Sequence, residues 1–484
     1  MIELRDIDTF DDAVKARDPE DQLAGFILFA PNGGWHAVRP STGYERSGDG
    51  SLRELEPGLW VTNLPYERVT VLARGARHIL LRADGWLKLS AAQILGAAGL
   101  DGVNDTIAAK YLATITNRVH MLALETVRAL NPEPRAYARA RGALRAKPSL
   151  ATGLAQAHEA ALMRGRPAEK RIATIFGQTH QMGMFCFGRK VAPEGHRNLP
   201  FRFPRLSHAL SLTRAQIPGR ATWQMGARKA NVTSTEFIES AREMGRPLIF
   251  RASHARTGGT SEALDALIGA NRSSDTYRTL FLSEELDILR QRAETSVESV
   301  VVGEEWVTPS TADLLDAMLQ VCGGRAVAAN SWSANLLAEN ILASAFRRPQ
   351  GDNGAPPAET VWLAARDRVA MFPAIEAFYD FGASLVSAMH GTIMMQVPDD
   401  PELLAGIMDT AWQFGLTLPI GDNLQLAGLG VPIPVERSGF GGNSVDYGFS
   451  VIAQRAKKKA LLALDDIMDA PAEERVERFR SIVG

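Results

Sequence analysis

The sequence contains very little cysteine, which excludes a fold held together by disulfides. Cys186 and Cys322 are the only cysteines in its 484 residues. They are too few for a disulfide framework and are not spaced as the ligands of a metal ion. Residues 1–12 also lack the basic start and apolar run of a signal or transit peptide. We therefore expect a protein of the cytoplasm or of a virion, and not a secreted one.

No apolar run in the sequence is long enough to cross a membrane. The most apolar uncharged segment, residues 381–397, has 17 residues, whereas a spanning helix needs about 20. It contains His390 and is followed by Pro398, so we predict a buried helix that leads into a buried strand. A membrane is not an expected partner.

Recognisable catalytic and cofactor motifs are absent as well. The sequence has no Gly-Lys dipeptide, which excludes a Walker A loop, and no GxGxxG follows a predicted strand. The nine histidines show no HExxH, HxH or C2H2 spacing, and there is no GxSxG nucleophile elbow. We predict no cofactor, no metal and no catalytic residue. A catalytic triad assembled from residues distant in sequence stays open.

Two short segments keep an enzymatic alternative open. Residues 257–261 (TGGTS) precede a predicted helix, where their N–H groups could bind a phosphate, although such turns are common before capped helices. Asp399 and Asp400 follow a strand-like segment, which is where a polymerase or nuclease places metal-binding carboxylates. Capping of a helix that starts at Pro401 is the favoured explanation for the two aspartates.

Hydrophobic patterning predicts an α-rich mixed α+β fold, in which a β-containing N-terminal part is followed by a predominantly helical region. Short β-branched and aromatic runs separated by Gly, Pro and Asn indicate a small β-rich region over residues 1–90. Apolar residues at helical intervals then indicate a helical region over residues 91–347. Its longest predicted helix covers residues 104–130, whereas residues 191–220 are expected to form an extended connection.

A segment rich in Pro and Gly marks the clearest predicted domain boundary. Residues 348–359 (RPQGDNGAPPAE) contain no large apolar side chain, as is typical of a linker. Beyond it, residues 360–484 are predicted to form a C-terminal helical region with a buried strand and a Gly-rich loop. The chain is therefore expected to have three parts.

What the sequence does contain is a segregated basic region. Residues 135–229 include eighteen Arg or Lys side chains against three Glu, a net charge of +15 in a chain whose net charge is −2. A cluster of this size favours a surface that meets nucleic acid. Interleaved phenylalanines at 185, 187, 201 and 203 add the base-stacking groups that proteins use to hold single strands. The predicted nucleic-acid-binding residues are Arg135, Arg139, Arg141, Arg145, Arg164, Arg166, Lys170, Arg171, Arg189, Lys190, Arg197, Arg202 and Arg205.

The acidic remainder of the chain offers a second explanation for the basic region. Outside residues 135–229 the net charge is −17, the difference between −2 and +15. The arginines could therefore pair with carboxylates of the same chain or of a neighbouring subunit. The sequence alone supports either arrangement.

These observations predict a self-assembling, virus-type coat protein or nucleoprotein that encloses or binds nucleic acid through its basic region. Its expected partners are further copies of itself, as a homo-oligomeric capsid or virion structural protein, and nucleic acid, with RNA favoured. The alternative is a nucleic-acid-acting enzyme or effector-complex subunit whose basic region lines a cleft. A metabolic enzyme that binds a phosphate at residues 257–261 is the third possibility.

Overall fold

A computed structural model describes the chain from residue 24 to residue 418, with internal gaps. Described residues include the start of the basic region at Arg135 but not its end, residues 226–229, and they include all of the most apolar segment, residues 381–397. The predicted phosphate loop at residues 257–261 lies outside them, as does the Gly-rich loop beyond residue 418. The gaps of four or more residues are 65–77, 160–168, 187–190, 226–242, 256–261, 270–277 and 347–355.

A mixed β-sheet forms the N-terminal part, as the patterning predicted. Its spatial order is β3-β2-β1-β4-β5. The first three strands are antiparallel neighbours, while β4 lies parallel to β1 and β5 parallel to β4. The strands are β1 (Ala24–Phe29), β2 (Gly34–Arg39), β3 (Tyr44–Asp49), β4 (Gly58–Thr62) and β5 (His78–Arg82).

Helices dominate the next part and confirm the α-rich mixed α+β prediction. After α1 (Ala83–Trp86) and α2 (Ala91–Ala97), the long helix α3 (Asp105–Leu130) packs across β1 and β2. Asn104 caps α3 by accepting a hydrogen bond from the N–H of Ile107 at 2.9 Å. The following helices are α4 (Pro134–Ala146), α5 (Leu150–Ala157) and α6 (Lys170–Thr179).

The segment predicted to be an extended connection, residues 191–220, contains a ten-residue helix, so that prediction was wrong. Strand β7 (His196–Arg202) is followed by helix α7 (Arg205–Arg214). Its apolar side chains, among them Leu206 and Leu210, are buried against a later helix. Pro204 and Pro218 flank the helix instead of interrupting it, which is how proline is tolerated at helix ends.

Further short strands and helices complete the middle of the chain and build a second, four-stranded sheet. That sheet has the order β11-β10-β12-β9. The elements in chain order are β6 (Met184–Phe185), β8 (Ile217–Pro218), β9 (Gln224–Met225), β10 (Leu248–Ala255), α8 (Glu262–Leu267), β11 (Leu280–Leu282), α9 (Ser283–Arg292), β12 (Glu294–Val302), β13 (Trp306–Val307), α10 (Ser310–Val321), α11 (Arg325–Asn330) and α12 (Trp332–Phe346).

The described C-terminal part centres on helix α13 (Ala358–Tyr379), which begins at the predicted linker. Near its start, the buried Glu359 accepts hydrogen bonds from the N–H groups of Ser310 and Thr311, both at 2.9 Å. A carboxylate from one helix thereby caps the N-terminus of another, α10. The domain boundaries drawn from the sequence stay a prediction.

Residues 381–397 form a hairpin, not the predicted helix that leads into a strand. Helix α13 ends at Tyr379, and β14 (Ser384–Met389) then pairs with β15 (Thr392–Pro398). His390 and Gly391 form the turn, with φ of 55° and 70°. This left-handed backbone is favoured by Gly and rare for other residues.

The hairpin belongs to a sheet of order β6-β14-β15-β7, and α14 (Pro401–Gln413) follows it. Among the residues that the structure describes, no helix is both long and apolar enough to cross a membrane.

Candidate nucleic-acid interface

The structure separates the predicted nucleic-acid-binding residues into exposed, paired and undescribed groups. Arg135 and Arg139 on α4 and Lys170 and Arg171 on α6 are exposed. None of them makes an ion pair or hydrogen bond through its side chain with any described residue. We call these four side chains the exposed cations.

Helix α4 is oriented by the residues on its inner face. Ala140 and Leu144 are buried, and the helix packs against α5. The two helices approach closely at Gly153, where an added Cβ atom would lie 3.0 Å from the Cα atom of Leu144. Because this packing fixes the inner face, the opposite face, with Arg135 and Arg139 one turn apart, is directed to solvent.

The aromatic residue of α4, Tyr137, faces the protein. The guanidinium carbon of Arg128 lies 4.5 Å from the centre of the Tyr137 ring, and Arg128 Nη2 donates a hydrogen bond to Tyr137 Oη at 3.1 Å. Glu125 Oε1 lies 3.5 Å from Arg128 Nη1. The tyrosine ring is therefore covered on one face by a protein cation, and its hydroxyl is engaged.

Helix α6 presents Lys170 and Arg171 in its first turn. Its buried side includes Phe176, whose ring centre lies 5.8 Å from that of Trp362 on α13. The first turn contains no acidic residue, and the side chain of the N-cap residue, Glu169, accepts no capping hydrogen bond. The two cations therefore lie at the positive end of the helix dipole, where a bound anion is stabilised and a cation is not.

Two of the predicted residues, the half-buried Arg202 and the buried Arg205, have protein partners. The Nε atom of Arg202 donates a hydrogen bond to Thr392 Oγ1 at 3.2 Å. Arg205 is buried, and its Nε atom lies 2.7 Å from Glu339 Oε2 on α12. The two arginine side chains therefore bind other parts of the protein: Arg202 of β7 contacts Thr392, and Arg205 of α7 contacts Glu339 on α12.

Arg197 is the third paired residue, and its partner is one of the two aspartates considered for catalysis. Its guanidinium group forms a salt bridge with Asp399 across β7 and the end of β15. Asp400 caps α14, since its Oδ1 atom accepts hydrogen bonds from the N–H groups of Glu402 at 2.9 Å and Leu403 at 3.1 Å. The capping explanation is confirmed for Asp400, while Asp399 serves as an ion-pair partner.

The remaining predicted residues add little to the described surface. Arg141 is half-buried on α4 and interacts with other protein groups. The side chain of Arg145 lies outside the described part of the chain, as do four complete residues, Arg164, Arg166, Arg189 and Lys190.

The phenylalanines among the basic residues are engaged by the protein at the positions that the structure describes. Phe201 is fully buried, and its ring centre lies 4.6 Å from that of Phe378. Phe203 stacks on His208, with ring centres 5.1 Å apart and planes 3° from parallel. Phe185 is half-buried, and residue 187 is not described. The predicted arrangement of exposed rings beside cations is therefore not present at positions 185, 201 and 203.

Sequence reasoning missed two buried charged clusters that connect elements distant in sequence. In the first, the fully buried Glu285 on α9 lies 2.6 Å from Arg278 Nη2 and also binds Arg368 of α13. Burial alone raises the pKa of the Glu285 carboxyl, but the two guanidinium groups bring it below its usual value. The ionised pair connects α9, α13 and the chain before β11.

The second cluster fixes the turn of the β14–β15 hairpin. Asp367 Oδ1 lies 2.7 Å from His208 Nε2 and accepts a hydrogen bond from the N–H of Gly391 at 2.9 Å, while its Oδ2 atom accepts the N–H of His390 at 2.6 Å. Burial raises the pKa of Asp367, but the hydrogen bond and charge of His208 lower it overall. No motif spacing indicated this cluster, because its members come from α7, α13 and the turn.

Over the residues from 24 to 418 that are described, no group of three or more His, Cys, Asp or Glu side chains could hold a metal ion.

No protein-family model matches the chain, and no curated protein matches it. Solved structures of the Phi29 DNA polymerase do resemble it. The complex with primer-template DNA, in its post-translocation binary form, has a TM-score of 0.41 and 10% identity, and the match covers 77% of this chain and 80% of the polymerase. The complex with single-stranded DNA has a TM-score of 0.40 and 9% identity, with 77% and 79% covered.

This finding overturns the predicted coat protein or nucleoprotein. The similar structures are DNA polymerases, and the expectations of a capsid, a virion and a structural role are corrected accordingly. At 10% identity and a TM-score of 0.41, no residue role, substrate or partner is carried from the polymerase to this chain. Any function must be argued from the chain's own surface.

Proposed function

We propose that this protein binds nucleic acid through the sugar–phosphate backbone, as an enzyme or effector-complex subunit that acts on nucleic acid. The observation that supports the proposal is the division of the basic region. The exposed cations Arg135, Arg139, Lys170 and Arg171 have no carboxylate partner among the described residues, whereas Arg197 and Arg205 are paired. Internal charge pairing thus accounts for only part of the basic region.

The chemistry of the exposed cations suits phosphate. Three of the four are arginines, whose planar guanidinium group can bind a phosphate through two parallel hydrogen bonds. Both α4 and α6 begin without an acidic residue in the first turn. Cations near a helix N-terminus cost roughly 0.3–1 kcal/mol each in the absence of an anion, because they face the positive end of the dipole.

The test removes the exposed cations in pairs. The variants Arg135→Gln/Arg139→Gln and Lys170→Gln/Arg171→Gln each delete two charges without breaking a described contact. If each cation neutralises one phosphate, the logarithm of affinity changes by about 0.7–0.9 per contact for each tenfold change in salt. Counted from about 1 M salt, where such contacts contribute little, two lost contacts make binding at about 0.1 M salt about 25- to 60-fold weaker for either double variant. Fluorescence anisotropy on labelled single-stranded and duplex oligonucleotides measures the affinities.

The matched control is Arg82→Gln/Arg292→Gln, which also removes two positive charges. Arg82 pairs with Asp84, and Arg292 Nη2 lies 2.8 Å from Glu376 Oε2, so both charges are already neutralised by exposed partners. The control should bind nucleic acid within about twofold of the original protein, because neither of its arginines belongs to the exposed cations that are proposed to neutralise phosphates. An original protein that binds no oligonucleotide, or test variants that bind as the control does, would refute the proposal.

Two finer predictions from the sequence, self-association and a preference for RNA, stay predictions. Light scattering coupled to size exclusion measures the first, and the anisotropy assay with RNA oligonucleotides measures the second.

A further inference from the structure

We infer that the nucleic acid bound by the exposed cations is double-stranded. This inference rests on the proposed function and goes beyond it, because it names the form of the ligand. The sequence left the strandedness open, although its interleaved phenylalanines are of the kind that proteins use to hold single strands.

Proteins that hold single strands combine a basic groove with aromatic rings on which unpaired bases stack. The aromatic residues that the structure describes on α4 and α6 are already engaged by the protein. Tyr137 lies under Arg128 and is hydrogen-bonded to it. Phe176, the aromatic residue of α6, is fully buried.

The aromatic residues of the β7 segment are occupied in the same way. Phe201 packs on Phe378, and Phe203 stacks on His208. Within the described ranges, the one large aromatic side chain classed as exposed is Trp412, at 55%. It lies on α14, whose other exposed residues include the acidic Glu402 and Asp409, so that helix face does not attract a phosphate backbone.

The outer face of α4 has instead the form expected for contact with a regular array of phosphates. Its exposed positions are Pro134, Arg135, Ala138, Arg139 and Gly142. The two guanidinium groups stand one helical turn apart, with Cβ atoms about 5–6 Å from each other. At the exposed positions of α4 that the structure describes, the residues beside the two arginines are small, so these residues allow a duplex surface to approach the helix.

A duplex also supplies the denser charge. It presents one phosphate per ~1.7 Å of axis, and its major groove in DNA, ~12 Å wide, admits an α-helix. Recognition by cations without stacking rings therefore favours a duplex over a flexible single strand, in which the phosphates are not held in fixed positions.

The experiment compares a short mixed-sequence duplex with each of its separated strands, in DNA and in RNA, by competition anisotropy at constant salt. We expect a duplex of at least one type to bind ten or more times more tightly than its own strands. Arg135→Gln/Arg139→Gln should remove this preference, whereas Arg82→Gln/Arg292→Gln should retain it.

A second pair of variants tests the aromatic argument directly. Tyr137→Leu and Trp412→Ala, which remove the two rings, should leave the ratio of duplex to single-strand affinity within about twofold. Single strands that bind as tightly as the duplex, or a loss of binding in either aromatic variant, would overturn the inference while leaving the proposed function intact. Failure of every oligonucleotide to bind would instead overturn the proposed function.

Discussion

Replacing Glu285 with Gln should destabilise the protein strongly, because the Glu285 carboxylate pairs with two buried guanidinium groups, those of Arg278 and Arg368. Its carboxylate receives Arg278 Nη2 at 2.6 Å and Arg368 Nε at 3.1 Å through Oε1, and its Oε2 atom accepts the N–H of Leu282 at 3.2 Å. Glutamine has a similar shape but no charge, and its amide N–H groups would meet the N–H groups of the arginines or of Leu282.

The expected magnitude follows from the burial of the cluster. Glu285 is 0% exposed and Arg368 is 1% exposed, so water cannot replace the lost carboxylate. Removing one partner of a buried ion pair typically costs about 3–5 kcal/mol. We therefore expect Glu285→Gln to lower the free energy of unfolding by about that amount.

Urea unfolding followed by circular dichroism measures this cost. Glu376→Gln is the matched control, since it removes a carboxylate from the exposed Arg292 pair and should cost about 0–1 kcal/mol. The triple variant Arg278→Met/Glu285→Leu/Arg368→Met leaves no unpaired charge and should recover part of the loss. Recovery is incomplete because the arginines also donate hydrogen bonds to the buried carbonyls of Thr179, Leu267 and Gln181. A Glu285→Gln protein with the stability of the control would refute the reasoning.

Three further predictions concern the buried contacts. Asp367→Asn should lower the free energy of unfolding by about 1–3 kcal/mol, because an amide N–H group then replaces a buried carboxylate oxygen that accepts hydrogen bonds at the hairpin turn. Hydrogen exchange should show that the N–H of His390 loses its protection. In Gly153→Ala the added Cβ atom would lie 3.0 Å from Leu144 Cα. This overpacking should lower the free energy of unfolding by about 1–3 kcal/mol, as chemical denaturation would measure. It should also weaken duplex binding, as anisotropy would measure. The pKa of Glu285 is lowered from its ordinary value of 4.5. Its ion pairs should therefore stabilise the fold fully above pH 4.5, and this stabilisation should be lost as the pH falls through the lowered pKa. The free energy of unfolding measured over a range of acidic pH tests this.

The parts of the fold that depend on local sequence could be predicted. The helix expected over residues 104–130 is α3, because its apolar spacing and the Asn104 cap both act within a few residues. The order of the first sheet could not be predicted, since the parallel pairing of β1 with β4 and of β4 with β5 joins strands separated by helices, turns and undescribed chain. Hydrophobic runs indicate strands but not their neighbours.

The candidate site shows the same division between local and distant contacts. The excess of positive charge over residues 135–229 was visible in the sequence. Which of these charges stay exposed in the fold could not be predicted from it. Arg197 pairs with Asp399, which is 202 positions away, and no spacing rule connects such residues. The hairpin turn at His390 was missed for a related reason, because its left-handed backbone is held by Asp367 from another element.

The salt dependence of nucleic-acid binding tests the central claim most directly. The equilibrium constant of the original protein and of the variant with all four exposed cations replaced by Gln would be measured on one duplex from low to high salt. If Arg135, Arg139, Lys170 and Arg171 each neutralise a phosphate, the slope of log affinity against log salt should be less steep by about 3.6 in the variant. Equal slopes for the two proteins would contradict the claim that these four side chains contact the nucleic-acid backbone.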